Sequence, residues 1–196
     1  MAIDCSSFSL INVIDTCAIW NVLSSQRLIA STKRAKCNFS ITRFVLYEAL
    51  HKKRRTETTE DRELQTRLAR ESSRGLFGSI SLSIADLQEV QILDNRMRLG
   101  KGELSAIAAA RTTGLHFMTD DQKARRLGSD SLGSDRVQTT PHLFGWLFFS
   151  GYLVDSDKDQ IIAEHESLSR PLKPYFEDMY KEALRCRLME HGSTAK

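Results

Sequence analysis

The sequence predicts an α/β fold of three layers, in which helices cover both faces of a mostly parallel central sheet. Short apolar, β-branched runs recur along the chain, and a longer stretch with helical spacing follows each of them. Strands that alternate with helices are typical of a parallel sheet buried on both faces. Threonines suited to capping helices also stand where predicted strands meet predicted helices. The predicted strands cover residues 10–14, 37–41, 80–84, 115–118 and 137–139.

Capping residues and apolar spacing predict the helices. Thr16, Thr42 and Thr140 are the expected N-caps, and the last is followed by a proline at a first-turn position that proline tolerates. The helix that begins at Thr42 is expected to run through the basic residues after position 50. The other helices are predicted over residues 51–74, as one or two exposed helices, 122–127 and 175–189.

Length, apolar runs and cysteine spacing limit the class of protein. With 196 residues, 41% of them hydrophobic, the chain can bury the core of one domain. Asp15 breaks the apolar run near the N-terminus, and no run reaches the roughly 20 residues of a membrane span. The N-terminus lacks the pattern of a secretory signal, so we expect a cytoplasmic protein that makes no contact with a membrane. The cysteines, expected to be free thiols, are Cys5, Cys17, Cys37 and Cys186.

Acidic residues stand at predicted strand ends and on neighbouring helices. Asp15 ends the first strand, where open parallel sheets bind ligands, although a helix cap is the alternative role. Glu48 lies on a mostly apolar helix, where a carboxylate is costly unless it has a function or an arginine partner. Glu103 lies in the first turn of an alanine-rich helix. Asp120 and Asp121 follow the fourth strand, either as caps of the next helix or as metal ligands.

These carboxylates are predicted to converge. Asp15 and one of Asp120 or Asp121 leave parallel strands at the same edge of the sheet. Glu48 and Glu103 are expected in the first turns of helices that start from this edge. Like charges a few ångströms apart repel, so such a cluster requires protons or a cation. Oxygen ligands without histidine or cysteine favour a hard cation, and the expected cofactor is therefore Mg²⁺ or Mn²⁺.

Four short segments carry a resemblance to a known family, each weak alone and specific as an ordered set. They are Val13-Ile14-Asp15-Thr16-Cys17-Ala18, Leu46-Tyr47-Glu48-Ala49-Leu50, Leu99-Gly100-Lys101-Gly102-Glu103, and Met118-Thr119-Asp120-Asp121 with Lys123-Ala124-Arg125-Arg126. They span roughly residues 10–150. In this order they resemble the PIN-domain family, to which many toxin ribonucleases of bacterial toxin–antitoxin pairs belong.

The resemblance implies a PIN-like fold and a metal-dependent endoribonuclease that hydrolyses RNA phosphodiester bonds. We expect a nuclease domain over residues 1–155 and a helical extension over residues 156–196, packed on or beside it. The implied partners are the RNA substrate, an antitoxin protein and a second copy of the chain. The implied catalytic and metal-binding residues are Asp15, Glu48, Glu103 and one of Asp120 and Asp121, with Thr16 and Thr119 as the hydroxyl residues beside them.

The formal charge of +3 is too small to indicate a nucleic-acid binder, but the basic residues are clustered. Such clusters are either solvated helix faces or contacts to backbone phosphates. Lys101 departs from the family, which often has another acid there, and either neutralises part of the site or contacts a phosphate. The expected nucleic-acid contacts are Lys52, Lys53, Arg54, Arg55, Lys101, Lys123, Arg125 and Arg126. The alternative function is a PIN-fold module that binds nucleic acid or protein without catalysis.

Overall fold

The structure is a computed structural model, and it describes residues 4–52 and 57–193. The expected α/β class is confirmed, because five strands form one central sheet that helices flank. The strands are β1 (Ile11–Ile14), β2 (Asn38–Thr42), β3 (Phe77–Ile80), β4 (His116–Met118) and β5 (Val137–Gln138). Their order across the sheet is β3-β2-β1-β4-β5, and every neighbouring pair is parallel.

Helices connect the strands and follow the last of them. They are α1 (Thr16–Leu23), α2 (Gln26–Arg34), α3 (Arg43–Leu50), α4 (Thr59–Ser73), α5 (Ile84–Arg96), α6 (Lys101–Thr113), α7 (Gln122–Leu132), α8 (Thr140–Phe149), α9 (Asp157–Ser167) and α10 (Lys173–Ser193). In this part of the chain, no helix combines the length and the apolar character that crossing a membrane requires. The four cysteines are free, as predicted.

The central position of β1 decides where the candidate site lies. The register pairs Asn12 with Phe39 of β2 on one side and with His116 of β4 on the other. Because the strands run in one direction, the residues that follow β1 and β4 leave the sheet at the same edge. The N–H of Asp15 donates to the carbonyl of Met118 at 3.2 Å, so the two strand ends are adjacent.

The described residues form two compact units. The sheet unit comprises residues 11–20 and 38–139. The helical unit comprises residues 4–10, 21–37 and 140–193. All five strands and helices α3 to α7 belong to the sheet unit, and so does every described residue proposed above for the site. The division of the chain at residue 155 stays a prediction.

The helical unit has an aromatic core of its own. The ring of Phe144 lies 4.9 Å from that of Phe148 and 4.5 Å from that of Phe176, and all three rings are buried. The buried carboxylate of Asp157 accepts two hydrogen bonds from Arg27, at 2.7 and 3.0 Å. A buried carboxylate held in this way by a guanidinium joins α2 to α9.

The third strand differs from its prediction. It covers Phe77–Ile80 rather than residues 80–84, and Ile84 is the first residue of α5. The hydroxyl of Ser83 accepts a hydrogen bond from the N–H of Asp86 at 3.2 Å, and the Asp86 carboxylate accepts one from the N–H of Ser83 at 2.6 Å. This capping box fixes the start of the helix, so Ser83 belongs to a helix cap and not to a strand.

Helix α3 ends at Leu50 and does not continue through the basic residues, so that prediction is wrong. The N–H groups of His51 and Lys52 both donate to the carbonyl of Tyr47, at 2.8 and 2.9 Å, and this pattern closes the helix. Three of the expected nucleic-acid contacts lie outside the described residues. They are Lys53, Arg54 and Arg55.

The predicted N-caps of α1 and α3 have different outcomes. Thr42 is confirmed, because its hydroxyl accepts a hydrogen bond from the N–H of Val45 at 3.3 Å. Thr16 is instead the first residue of α1. Asp15 takes the capping role, since its carboxylate accepts a hydrogen bond from the N–H of Ala18 at 2.9 Å. A carboxylate caps a helix at least as well as a threonine hydroxyl, and Asp15 precedes the helix by one residue.

Gly128 of α7 predicts a measurable packing effect. A Cβ atom at this position would lie 2.9 Å from Cδ1 of the buried Phe117 ring and 3.4 Å from a methyl group of Val137. Alanine favours a helix by about 1 kcal/mol over glycine, but overpacking a rigid core costs about 1–3 kcal/mol. We therefore expect Gly128→Ala to lower the free energy of unfolding, measured by urea denaturation. Asp130→Ala, at an exposed position of the same helix, is the control that should lose nothing. Equal or higher stability of Gly128→Ala would contradict this packing.

Candidate functional site

Asp15 is a fully buried carboxyl group at the end of the central strand. Its Oδ1 atom accepts the hydrogen bond from Ala18, and its Oδ2 atom accepts a short hydrogen bond from the hydroxyl of Thr119. Burial raises the pKa of Asp15 to about 8 against the effect of these two hydrogen bonds, and the carboxyl groups of Asp120 and Glu103 raise it further. Near neutral pH this group therefore keeps its proton unless a cation replaces it.

The loop after β4 carries Thr119, Asp120 and Asp121. The buried Thr119 side chain links the two strand ends, because its oxygen also accepts a hydrogen bond from the N–H of Asp121 at 3.1 Å. Asp121 is the N-cap of α7, and its Oδ1 atom accepts a hydrogen bond from the N–H of Ala124 at 2.7 Å. Asp120 acts on Asp15 through its charge. Both aspartates stay candidates for the fourth ligand, and Asp121 has one oxygen engaged in the cap.

Glu103 lies in the first turn of α6, as predicted. Its Oε2 atom is buried and has no hydrogen-bond partner among the described residues. Burial raises the pKa of Glu103, and the carboxyl groups of Glu48 and Asp121 raise it further, while Lys52 lowers it. An unpaired buried carboxylate oxygen costs free energy. This oxygen therefore indicates a position that takes a cation or a hydrogen-bond donor.

Glu48 approaches the same place from α3, near the end of the helix and not from its first turn as predicted. Its Oε1 atom accepts a hydrogen bond of 3.2 Å from the N–H of Gly102, at the start of α6, where the helix dipole favours negative charge. Its Oε2 atom accepts one of 3.4 Å from the hydroxyl of Thr16, and the Lys52 ammonium lies 3.9 Å from Oε1. The hydroxyl of Thr16 therefore contacts Glu48, whereas the sequence associates it with Asp15.

Two glycines at the start of α6 are site residues that the sequence pattern did not identify. A Cβ atom on Gly102 would overlap Oε2 of Glu48. A Cβ atom on Gly100 would overlap Oε2 of Glu103 and would lie 3.3 Å from Oε1 of Glu48. The two carboxylates thus meet in the volume that side chains at these positions would fill. The signal in the sequence is a pair of glycines at the start of an otherwise alanine-rich helix.

A hydroxyl pair holds α3 and α6 together beneath these carboxylates. The buried oxygens of Thr42 and Ser105 lie 2.6 Å apart, and the Ser105 hydroxyl also donates to the carbonyl of Gly102 at 2.8 Å. Thr42 ends β2 and caps α3, so one residue connects the sheet, the helix that carries Glu48 and the helix that carries Glu103. Neither hydroxyl was expected at the site from the sequence.

The carboxyl groups act on one another through their charges. These interactions connect Asp15 to Asp120 and Glu103, and Glu103 to both Glu48 and Asp121. Among the described residues, no three histidine, cysteine, aspartate or glutamate side chains are arranged to hold a metal ion. The chemistry of the donors nevertheless fits a hard divalent cation, because all are carboxylate oxygens and one is buried and unpaired. A cation would also remove the repulsion that keeps like charges apart.

The described basic residues divide between ion pairs and a groove. Lys52 contacts Glu48, while Lys101 is exposed and its ammonium lies 3.4 Å from the carboxylate of Asp94. The contact of Lys101 is therefore with α5 and not with Glu103. A groove of about 560 Å³ at the start of α7 is lined by Met97, Arg98, Gln122, Lys123, Arg125, Arg126 and Ser129. Three of its cations, Lys123, Arg125 and Arg126, were expected from the sequence, and Arg98 was not.

Comparisons with known proteins find no match to this chain among protein-family models, curated proteins or solved structures. The resemblance to the PIN-domain family therefore stays a prediction from the sequence.

The raised pKa of Asp15 predicts how stability without divalent cations depends on pH. Between roughly pH 4 and pH 8 the native side chain keeps a proton that the unfolded chain has lost, so its contribution to stability falls as the pH rises. Asp15→Asn has no such proton. We expect the unfolding free energy of the wild type to fall relative to that of Asp15→Asn by up to about 1.4 kcal/mol per pH unit.

Urea denaturation in EDTA, at steps between about pH 5 and pH 8, measures this difference. Asp130→Asn, which removes an exposed carboxylate from α7, is the matched control and should follow the wild type. A difference between the wild type and Asp15→Asn that stays constant with pH would mean that Asp15 ionises normally in the folded chain.

Proposed function

We propose that the protein is a metal-dependent nuclease that hydrolyses RNA phosphodiester bonds with Mg²⁺ or Mn²⁺ as its cofactor. The observation that carries the proposal is the buried, unpaired Oε2 atom of Glu103 among carboxyl groups at the carboxyl edge of a parallel sheet. Burial and like charge disfavour ionised carboxylates there, and a hard cation relieves both with oxygen ligands alone. The four sequence segments that resemble PIN-domain nucleases support the same reaction.

The residues of the site divide the work of hydrolysis. Those that would hold the cation are Asp15, Glu48, Glu103 and one of Asp120 and Asp121. When bound, the cation supplies Lewis-acid stabilisation of the phosphoryl charge and lowers the pKa of a water molecule. A carboxylate of the site orients the attacking water and accepts its proton. The hydroxyl of Thr119 fixes Asp15, and that of Thr16 fixes Glu48. The reaction needs no covalent intermediate with the protein.

The basic groove at the start of α7 is the proposed contact for the RNA backbone. Asp121 caps this helix. An RNA strand whose phosphates lie along Lys123, Arg125 and Arg126 would therefore pass beside the carboxyl groups. Such phosphate contacts position a nucleic acid and do not select its sequence. On the resemblance alone, the proposal extends to a toxin role, an antitoxin partner, a homodimer and a cytoplasmic location.

A module that keeps the PIN-like fold and binds nucleic acid or protein without catalysis is the second candidate. The observation that favours it is that no three acidic, histidine or cysteine side chains of the described chain are arranged to hold a metal. The acidic side chains nevertheless act on one another, because the carboxyl groups of Glu48 and Asp121 both raise the pKa of Glu103. Cleavage and metal binding must therefore be measured separately.

The nuclease proposal predicts cleavage of RNA that requires a divalent cation and Glu103. The wild type should cleave single-stranded RNA in Mn²⁺ or Mg²⁺ and should be inactive in EDTA. Glu103→Gln keeps the side-chain shape and removes the charge, so we expect the cleavage rate to fall by at least roughly 100-fold. Asp130→Asn is the matched control and should cleave at the wild-type rate. Gel-resolved cleavage of a labelled RNA measures the rates.

A thermal melt separates metal binding from catalysis. Mn²⁺ should raise the melting temperature of the wild type by mass action, because it binds the folded carboxyl groups, and should raise that of Glu103→Gln less. A rise in the melting temperature without any RNA cleavage would contradict the nuclease proposal and support the binding module. If Mn²⁺ produces no rise in melting temperature and the wild type does not cleave RNA, the metal site itself is overturned.

The basic groove predicts a change in the salt dependence of RNA binding. Replacing Lys123, Arg125 and Arg126 with alanine should weaken binding about equally for all sequences and reduce the salt slope by about 0.7 for each lost contact with a single strand. The effect of Mn²⁺ on the melting temperature should not change, because every carboxylate is still present. Fluorescence anisotropy in EDTA across a salt series measures the slope.

A charge-matched control uses three lysines of the helical unit that do not line this groove. They are Lys33, Lys173 and Lys181. Replacing them with alanine removes the same net charge and should leave most of the slope intact. Equal losses in the two triple variants would mean that the slope reflects net charge and not the groove.

A further inference from the structure

The exposed face of α3 is the strongest feature that the proposed function leaves without a role. Phe44 and Tyr47 are three residues apart and lie on one face of the helix, and His51 follows directly after its end. The rings of Tyr47 and His51 are 6.3 Å apart, and Tyr47 is 57% exposed. Glu48 belongs to the same face and extends to the carboxyl site. An aromatic surface is therefore continuous with the groups proposed to hold the metal.

This face forms one wall of a groove of about 770 Å³. Leu82 and Leu87, from the loop after β3 and from α5, form apolar parts of the lining together with Phe44 and Tyr47. Glu48 also lines the groove, so the groove borders the carboxyl site. The volume is sufficient for a nucleobase with its sugar, because small-molecule pockets begin at roughly 300 Å³.

Cations surround the apolar part of the groove. Arg43 is the first residue of α3, Lys52 lies just beyond the end of this helix, and Lys101 lines the groove from the start of α6. All three are exposed in the described chain. Exposed aromatic rings for stacking, with cations for the backbone, are the combination that binds unpaired nucleic acid. Lys52 also contacts Glu48 and Lys101 also contacts Asp94, but the lining holds three cations and one carboxylate, and this excess of positive charge favours a polyanion over an apolar peptide or another cationic surface.

We propose that this groove is a subsite for an unpaired nucleobase of the RNA, next to the phosphate that is cleaved, and that Tyr47 is its stacking residue. The inference rests on the proposed nuclease function, since Glu48 is shared by the groove and the carboxyl site. A base stacked on Tyr47 places the adjoining phosphate beside Glu48. The subsite selects unpaired RNA, because a base within a duplex is not free to enter the groove.

Binding of a fluorescent single-stranded RNA in EDTA tests the subsite without cleavage. Tyr47→Ala should weaken binding by roughly 5- to 100-fold, the range of base–aromatic stacking, whereas Tyr47→Phe keeps the ring and should bind nearly as the wild type does. Tyr175→Ala is the matched control, because Tyr175 is 60% exposed, close to the 57% of Tyr47, and does not line the groove. It should bind as the wild type does.

An RNA series in which one nucleotide at a time is abasic identifies the stacked position. The wild type should lose affinity for one member of the series, and Tyr47→Ala should lose little more for that member, because the two changes remove the same contact. The subsite would be overturned if Tyr47→Ala and the abasic substitution reduced RNA affinity independently of each other, or if Tyr47→Ala bound RNA with wild-type affinity. A change of sedimentation coefficient in Tyr47→Ala with unchanged RNA affinity would instead assign the groove to a contact between copies of the chain.

Cleavage in Mn²⁺ distinguishes failure of the subsite from failure of the nuclease function. If the wild type cleaves RNA and Tyr47→Ala binds and cleaves equally well, the subsite is wrong and the nuclease function stands. If Tyr47→Ala and the abasic RNA lose affinity together but no variant cleaves, the base subsite is supported and its place beside a cleaved phosphate is overturned.

Discussion

The candidate site depends on one constraint, which is that all strands of the sheet run in the same direction. A parallel sheet delivers the end of every strand to one edge, and the adjacency of β1 and β4 places Asp15 beside Thr119. The hydrogen bond from the N–H of Asp15 to the carbonyl of Met118 extends the pairing of β1 with β4 to Asp15 itself. The positions of the helices that follow are set by the same edge, because each helix returns across the sheet.

This edge concentrates negative charge in a place that burial makes unfavourable for it. The protein compensates part of the cost with donors: a helix N–H and a hydroxyl for Asp15, and the N–H of Gly102 with the hydroxyl of Thr16 for Glu48. The compensation is incomplete, since Oε2 of Glu103 is left without a donor in the described chain. Groups left unsatisfied in an otherwise well-packed fold are where function is expected.

The surfaces beside the carboxyl groups differ in chemistry, and the difference suits the two parts of a nucleotide. The groove at the start of α7 is lined largely by cations and is suited to phosphates. The groove along α3 joins aromatic and apolar side chains to cations and is suited to a base with its backbone. Both belong to the sheet unit. Glu48 lines the groove along α3, and Asp121 caps the helix that lines the other groove. In the proposed function, these surfaces present the phosphodiester bond to the carboxyl groups.

Features that depend on neighbouring residues along the chain could be predicted from the sequence. The α/β class, the capping role of Thr42 and the place of Glu103 in the first turn of its helix follow from periodicity and capping chemistry, which act over a few residues. The start of α5 is also encoded locally, by a capping box. The alternating apolar residues just before it led to the prediction of a strand over residues 80–84, which was wrong.

The way in which the helices meet at the edge of the sheet could not be predicted from the sequence. The contact of Glu48 with the start of α6 and its approach to Gly100 join residues far apart in sequence, and the pairing of Lys101 with Asp94 joins two separate helices. No local pattern encodes them, because each depends on which helix faces pack together. That packing depends on the whole sheet unit, and it brings acidic residues from separate segments to the same edge of the sheet.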